Sequence, residues 1–153
     1  MPNWIEGTMK LRGKQENIKR FFDEGLEPSS YFGEENKLED QVQDESEDGF
    51  LEYHFRNEPH ICGTRRMFIT DSYADMYDED GVCCFDIKQA WDFDAKELER
   101  ISEKFNIDIR VYGIECGREF CKEILIEKGK TIYDKEIEYG DWFWECPFPK
   151  MGG

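Results

Sequence analysis

The stretch Thr8-Met9-Lys10-Leu11-Arg12-Gly13, read together with residues 15–25, decides the fold class. Met9 and Leu11 alternate with polar neighbours, the period-two pattern of a strand with one buried face. Gly13 is expected to break that strand. Residues 15–24 then carry Ile18, Phe21 and Phe22 at helical spacing, and Gly25 stands where a C-terminal cap belongs. A strand followed by a helix makes one βα unit.

The same pattern returns downstream. Residues 82–90 alternate, with Cys83, Phe85 and Ile87 on one face. Asp94-Ala95-Lys96-Glu97 resembles a capping box with Asp in place of Ser or Thr. The helix it opens carries Leu98, Ile101 and Phe105 on one stripe, and Asn106 suits a left-handed terminator. Residues 108–115 and 120–128 predict a hairpin in which Ile109 and Val111 face Ile124 and Ile126, and Gly129 turns into a last strand at 131–139. Residues 50–55 and 60–70 read as shorter strands between the two units.

Two βα units joined through antiparallel strands predict an α+β, ferredoxin-like fold, with two helices on one face of a mainly antiparallel sheet. Residues 1–153 then form one domain, with an acidic insertion at 27–49 and an acidic loop at 71–80. Glu34 to Asp48 has only Leu38 and Val42 as aliphatic residues, so a short exposed helix and a mobile loop both suit it. The sheet face away from the helices is left to the aromatic residues and the insertion.

Charge narrows the function classes. The 153 residues hold 20 Lys and Arg against 36 Asp and Glu, a formal net charge of −16. That excludes a protein that grips phosphate backbones with a general basic surface. Hydrophobic residues make up only 39%, but aromatic residues reach 15%, and rings bury enough area each to build a core. The acid is concentrated: residues 27–60 hold eleven acids against Lys37 and Arg56, and residues 71–80 hold five and no base. The rest of the chain is nearly balanced.

A like-charged run is first of all a solvated loop. Here, however, rings are interleaved with it: Tyr31, Phe32, Phe50, Tyr53 and Phe55 in the first segment, Tyr73 and Tyr77 in the second. Carboxylates beside flat rings offer a partner what a nucleic acid offers, with the same electrostatic steering and salt dependence. The residues expected to touch such a partner are Glu45, Glu47, Asp48, Asp71, Tyr73, Asp75, Tyr77, Asp78, Glu79 and Asp80. Tyr139 to Pro149 adds a ring-dense segment in which, at strand spacing, Trp142 and Trp144 share a face, either closing the sheet or anchoring a partner.

Other chemistry finds little support. His60 and Cys62 would share one face of a strand, and with His54 they form the candidate donor set for a metal, but two close ligand pairs are missing. Asp78-Glu79-Asp80-Gly81 hints at a calcium loop, yet the EF-hand positions would fall on Met76 and Ile87. No Walker, dinucleotide or nucleophile-elbow motif occurs, so no cofactor and no catalytic residues are expected. Cys116 and Cys121 flank a turn, where a four-residue loop would set them opposite each other and a two-residue turn would not. Met1 to Glu6 lacks the basic start and apolar run of a secretory signal, and cysteine density is below that of disulfide scaffolds, which predicts reduced thiols in a cytoplasm.

Pro2-Asn3-Trp4, the Thr8 to Gly13 strand, and the helix with Ile18 and Phe21-Phe22 resemble the opening of the YubB-type ferredoxin-like proteins. Ala90-Trp91, Glu97-Leu98, Ile101-Ser102, Phe105 and Arg110-Val111-Tyr112-Gly113-Ile114-Glu115 are similar to that family in layout. The resemblance omits the acidic insertion, and Ile5-Glu6-Gly7 stands where the family carries Cys-Ser-Asn. It implies a ferredoxin-like fold and a setting in phages, prophages or plasmids, hence the cytoplasm of a bacterial host. Joined to the charge pattern, it leads to the expectation of a non-enzymatic inhibitor that binds a basic nucleic-acid enzyme of the host, of anti-restriction or anti-CRISPR type. The alternatives are an accessory domain whose acid serves solubility alone, and a small metal protein using His54, His60 and Cys62.

Overall fold

The computed structural model describes residues 2–29 and 36–153, the side chain of Asp80 excepted. Tyr31, Phe32, Glu34 and Glu35 of the acidic stretch therefore lie outside the described residues. In chain order the first half carries β1 (Trp4–Lys14), α1 (Gln15–Glu24), β2 (Leu26–Glu27), α2 (Leu38–Gln41), β3 (Val42–Asp44), β4 (Leu51–Phe55), β5 (His60–Ile61) and β6 (Met67–Ile69). The second half carries β7 (Tyr73–Met76), β8 (Asp80–Ala90), α3 (Ala95–Phe105), β9 (Asp108–Glu115), β10 (Phe120–Glu127), β11 (Lys130–Glu138) and α4 (Trp142–Glu145). The chain is a mixed α+β structure built on antiparallel strand pairs.

The alternation at Met9 and Leu11 runs further than its apolar residues suggest. β1 continues through Gly13 to Lys14, because β8 pairs with it along its whole length, from Trp4 opposite Ala90 to Lys14 opposite Asp80. Eight strands follow the order β11-β10-β9-β1-β8-β6-β5-β2 among the described residues. Residues 60–70 thus hold two short strands around a turn rather than one. The predicted hairpin forms in the predicted register, with Ile109 opposite Ile126 and Val111 opposite Ile124.

One face of this sheet meets the helices. Ile5, Met9 and Leu11 of β1, Phe85 and Ile87 of β8, and Val111 of β9 share a core with Ile18, Phe21 and Phe22 of α1 and Leu98, Ile101 and Phe105 of α3. The two helices touch through Phe21 and Phe105, whose rings meet edge-on at 5.6 Å. Gly25 ends α1, its N–H donating to the Phe21 carbonyl at 2.8 Å, but its φ of −97° is not left-handed. Glycine is needed there for room: a Cβ would stand 2.6 Å from the Phe21 carbonyl oxygen and 3.1 Å from the Phe105 ring. Asn106 does adopt the left-handed conformation, with φ of 52°. Asp94 caps α3 by accepting from the Lys96 N–H at 2.8 Å, whereas Glu97 reaches away to the Arg65 N–H and Gln89, so the reciprocal half of a capping box is absent.

The acidic segments are the main correction. Residues 71–80 are not a loop throughout: Tyr73–Met76 is a strand, and Asp80 opens β8. The described part of 27–49 contains α2 and β3, with Gln41 buried and its side-chain amide donating to the Ser29 carbonyl at 2.9 Å. β3, β4 and β7 form a second, three-stranded antiparallel sheet. Leu51, Tyr53 and Phe55 point inward from β4, and Phe22 of α1 receives Tyr53 at 4.7 Å and Phe55 at 5.7 Å between ring centres. Leu38 and Val42 pack against the same core as the helices, so the described part of the insertion lies on the helix side, not on the opposite face of the large sheet. Apolar alternation under an acidic exterior makes this possible, since only inward positions need be apolar.

The far face of the large sheet is partly covered by the C-terminal segment. Trp142 and Cys146 pack on Ile114 and Cys121 in a second, smaller core, and Trp142 Nε1 donates to the Pro149 carbonyl at 2.9 Å. Strand spacing for Trp142 and Trp144 is overturned: a short helix capped by Asp141 buries Trp142 and leaves Trp144 87% exposed. No helix is long and apolar enough to cross a membrane among the described residues.

Candidate acidic interaction face

Strand alternation decides what the small sheet shows outward. With Leu51, Tyr53 and Phe55 inward, Glu52 and His54 of β4 turn out. With Ala74 and Met76 inward, Tyr73 and Asp75 of β7 turn out. Register then puts Glu52 opposite Asp75 and His54 opposite Tyr73. The two acidic segments, separate in sequence, meet on this one face.

The connections add to it. Glu45 follows β3, and its N–H donates to the Glu52 carbonyl at 2.9 Å. Glu47 and Phe50 bridge each other around an exposed turn that carries Asp48. Phe50 lays its ring on Tyr77 at 4.7 Å between centres, so the exposed Tyr77 is held against the turn. Asp78 and Glu79 follow it, both exposed. The Glu79 carbonyl accepts from the Gln15 N–H at 2.9 Å, which ties this loop to the start of α1. A cleft of about 390 Å³ runs between α1 and the turn, lined in part by Glu47, Asp48 and Phe50.

The electrostatics follow from the register. Like charges directly opposite across an antiparallel pair repel, and Glu52 and Asp75 are such a pair. His54 stands beside them, with Nε2 2.8 Å from Glu52 and 3.8 Å from Glu45. The Tyr77 hydroxyl is held above its ordinary pKa, chiefly by the neighbouring Asp75 carboxylate. At the edge of the sheet Lys19 of α1 ties down Asp44 at 2.6 Å, Asp23 at 3.0 Å and the Tyr53 hydroxyl at 3.0 Å. Burial raises the Asp44 carboxyl, but the Lys19 contact and hydrogen bonds from Ser46 outweigh it and bring its pKa to about 2. This network docks the small sheet on α1.

Not every expected residue belongs to the face. Asp71 is occupied structurally: its carboxylate accepts from the Ser72 N–H at 2.8 Å and the Asp86 N–H at 3.3 Å. Asp80 pairs with Lys14 through the backbone, and its side chain is not among those described. Trp142 is buried against β9 and β10, so it offers no surface to a partner, and Trp144 belongs to that C-terminal segment rather than to the acidic face. Glu52 is the residue that sequence reasoning passes over. Its position between Leu51 and Tyr53, one step out of the buried phase, is the signal for it.

The candidate metal donor set is split by the fold. His54 stands on the small sheet, whereas His60 lies in the large one, with Nδ1 2.5 Å from Glu27 and Nε2 3.1 Å from the Thr64 carbonyl. Among the described residues, the metal-ligating side chains that gather within 4.8 Å are Glu45, Glu52 and His54. No protein-family model, no curated protein and no solved structure matches this chain.

Proposed function

We propose that this chain is a non-enzymatic, protein-binding inhibitor that presents its small sheet to the basic groove of a nucleic-acid enzyme. The observation that carries this reading is Glu45, Glu52 and Asp75 together on the outward face of the small sheet beside the exposed ring of Tyr73, with the exposed Glu47, Asp48, Tyr77, Asp78 and Glu79 on the connections at its edge. Keeping Glu52 opposite Asp75 costs stability, so a charge pattern of this kind is better explained by what it meets than by what it supports. A groove lined with Lys and Arg would relieve that repulsion on binding and would be found rapidly by electrostatic steering.

A ferredoxin-like core belongs to the same proposal. The central order β9-β1-β8-β6, with α1 after β1 and α3 after β8, supports it, and the remaining strands are then additions at both edges. So does a kinship with the YubB-type proteins of phages and plasmids, read from Pro2-Asn3-Trp4 and the strand after it. That setting implies a target in a bacterial host, as anti-restriction and anti-CRISPR factors require.

The test is capture from a bacterial lysate at low salt, release at high salt, and mass spectrometry of what is released. A nuclease, methyltransferase or other nucleic-acid enzyme that elutes with salt, and whose activity the purified chain inhibits, is the expected result. An eluate without such an enzyme, or an enzyme whose activity is untouched, would sink the proposal.

A further inference from the structure

Two thiols distant in sequence face each other beneath α4. Cys121 lies on β10 opposite Ile114, and Cys146 directly follows α4. Their sulfurs are 4.0 Å apart, and both residues are buried. Cys116, which flanks the same turn as Cys121, is engaged elsewhere: its thiol donates to the Gly152 carbonyl at 2.9 Å. The four residues between Glu115 and Phe120 set Cys121 beside Ile114, so Cys116 and Cys121 are not opposite each other.

We propose that Cys121 and Cys146 are a two-thiol redox site, oxidised to an intramolecular disulfide by a small-molecule disulfide such as oxidised glutathione, which clamps α4 and the C-terminal segment to the large sheet. A disulfide needs its sulfurs about 2.05 Å apart, so the pair must approach by about 2 Å. The two sides are unequally able to move. Cys121 is fixed in a strand paired on both sides, by β9 and β11. Cys146 follows a four-residue helix whose Phe143 and Trp144 are exposed, and a helix that short has little stability of its own. Opening of α4 brings Cys146 to solvent and leaves Cys121 in place.

The order of events follows. The Cys146 thiolate attacks one sulfur of oxidised glutathione and expels a glutathione thiolate, which takes up the proton that Cys146 has lost. When α4 closes again, the Cys121 sulfur attacks Cys146, the bond to glutathione breaks, and the second glutathione leaves with the proton of Cys121. The two protein thiols are oxidised by two electrons, and one glutathione disulfide is reduced to two glutathione thiols. Burial pushes the Cys121 thiol up, while hydrogen bonds from Tyr112 and Tyr139 act against that and favour the thiolate at the moment of attack.

The experiment treats the full chain with oxidised glutathione, blocks remaining thiols, and reads intact mass and a peptide map. A Cys62→Ser, Cys84→Ser, Cys116→Ser variant removes the other thiols with solvent access. The expected result is a monomer lighter by two hydrogens, a Cys121–Cys146 cross-linked peptide, reversal by a reducing thiol, and a change in tryptophan fluorescence as Trp142 is clamped. Adding Cys121→Ser should stop the reaction at glutathione bound to Cys146. Two separately blocked thiols, two separate glutathione adducts, or a cross-link between chains would each overturn the proposal. If the serine variants fail to fold, the wild-type chain mapped in the same way decides between these outcomes.

Discussion

On the open face of the large sheet charges are matched across strands. Arg12 reaches Asp108 at 2.8 Å and Glu127 at 3.1 Å, and Arg110 Nε reaches Glu123 at 3.0 Å. Elsewhere in the large sheet, at the end of β9, the buried Glu115 is satisfied by the turn that follows it, accepting from the N–H groups of Gly117 at 2.6 Å and Arg118 at 3.1 Å, and from Arg118 Nε at 3.0 Å. The small sheet is the reverse. Its three strands contain no Lys or Arg, and Glu52 faces Asp75. Both sheets obey the same inward alternation, but the large sheet sets Arg side chains from its own strands beside its outward carboxylates, whereas the small sheet sets a histidine, His54, beside Glu52 and Glu45.

The strongest way to break this comparison is through the ring that joins the two. Phe22 is fully buried and meets Tyr53 and Phe55 of the small sheet as well as Phe85 of the large one. Phe22→Ala should cost about 3–5 kcal/mol, read as a lower urea midpoint of the whole chain. A normal midpoint with loss of the small sheet alone would show the two regions to be independent. Next comes an acid from the large sheet: Glu115→Ala leaves the Arg118 side chain and two backbone N–H groups without their acceptor, and should cost about 2–3 kcal/mol. An unchanged urea midpoint would show that water replaces that carboxylate without penalty.

pH probes the junction. The folded Asp44 carboxyl sits at about 2, below an unfolded value near 3.9. Its contribution is therefore fully present above about pH 5 and is lost as pH falls through about 2. Both partners are partly exposed, so the effect is modest. Wild type should lose more stability between pH 5 and pH 2 than Asp44→Asn does, in paired urea titrations. Parallel profiles would remove Asp44 from the docking network.

The smallest effect is the most diagnostic of a surface role. Asp75→Asn relieves the repulsion across from Glu52, and should raise stability by about 0.2–1 kcal/mol while weakening partner binding. If stability falls, the opposed carboxylates are not in conflict.

Much of the large sheet is readable because its apolar residues keep one period over long strands. Met9 with Leu11, and Ile109 with Val111, announce their faces without help. The small sheet is harder for a physical reason. Its strands are three to five residues long, and Ala74 and Met76, the inward residues of β7, stand within residues 71–80, which hold five acids. Composition then says loop while period two says strand. α4 misleads differently: Trp142 and Trp144 suit strand spacing as well as a helical turn, and only the Asp141 cap separates the two. Cys121 and Cys146 stand 25 residues apart, a separation that no spacing rule joins.

The central claim is that the small sheet's acids bind a basic partner. Its most direct test is a side-by-side capture from one bacterial lysate, using the wild-type chain and a variant with Glu45, Glu47 and Glu79 changed to Gln and Asp48, Asp75 and Asp78 changed to Asn. Asp71 stays, because it holds the Ser72 and Asp86 backbone. Circular dichroism should show both chains folded. The account predicts a nucleic-acid enzyme held by wild type at low salt, released by high salt, and absent from the variant's eluate. The same enzyme held equally by the folded variant would contradict it.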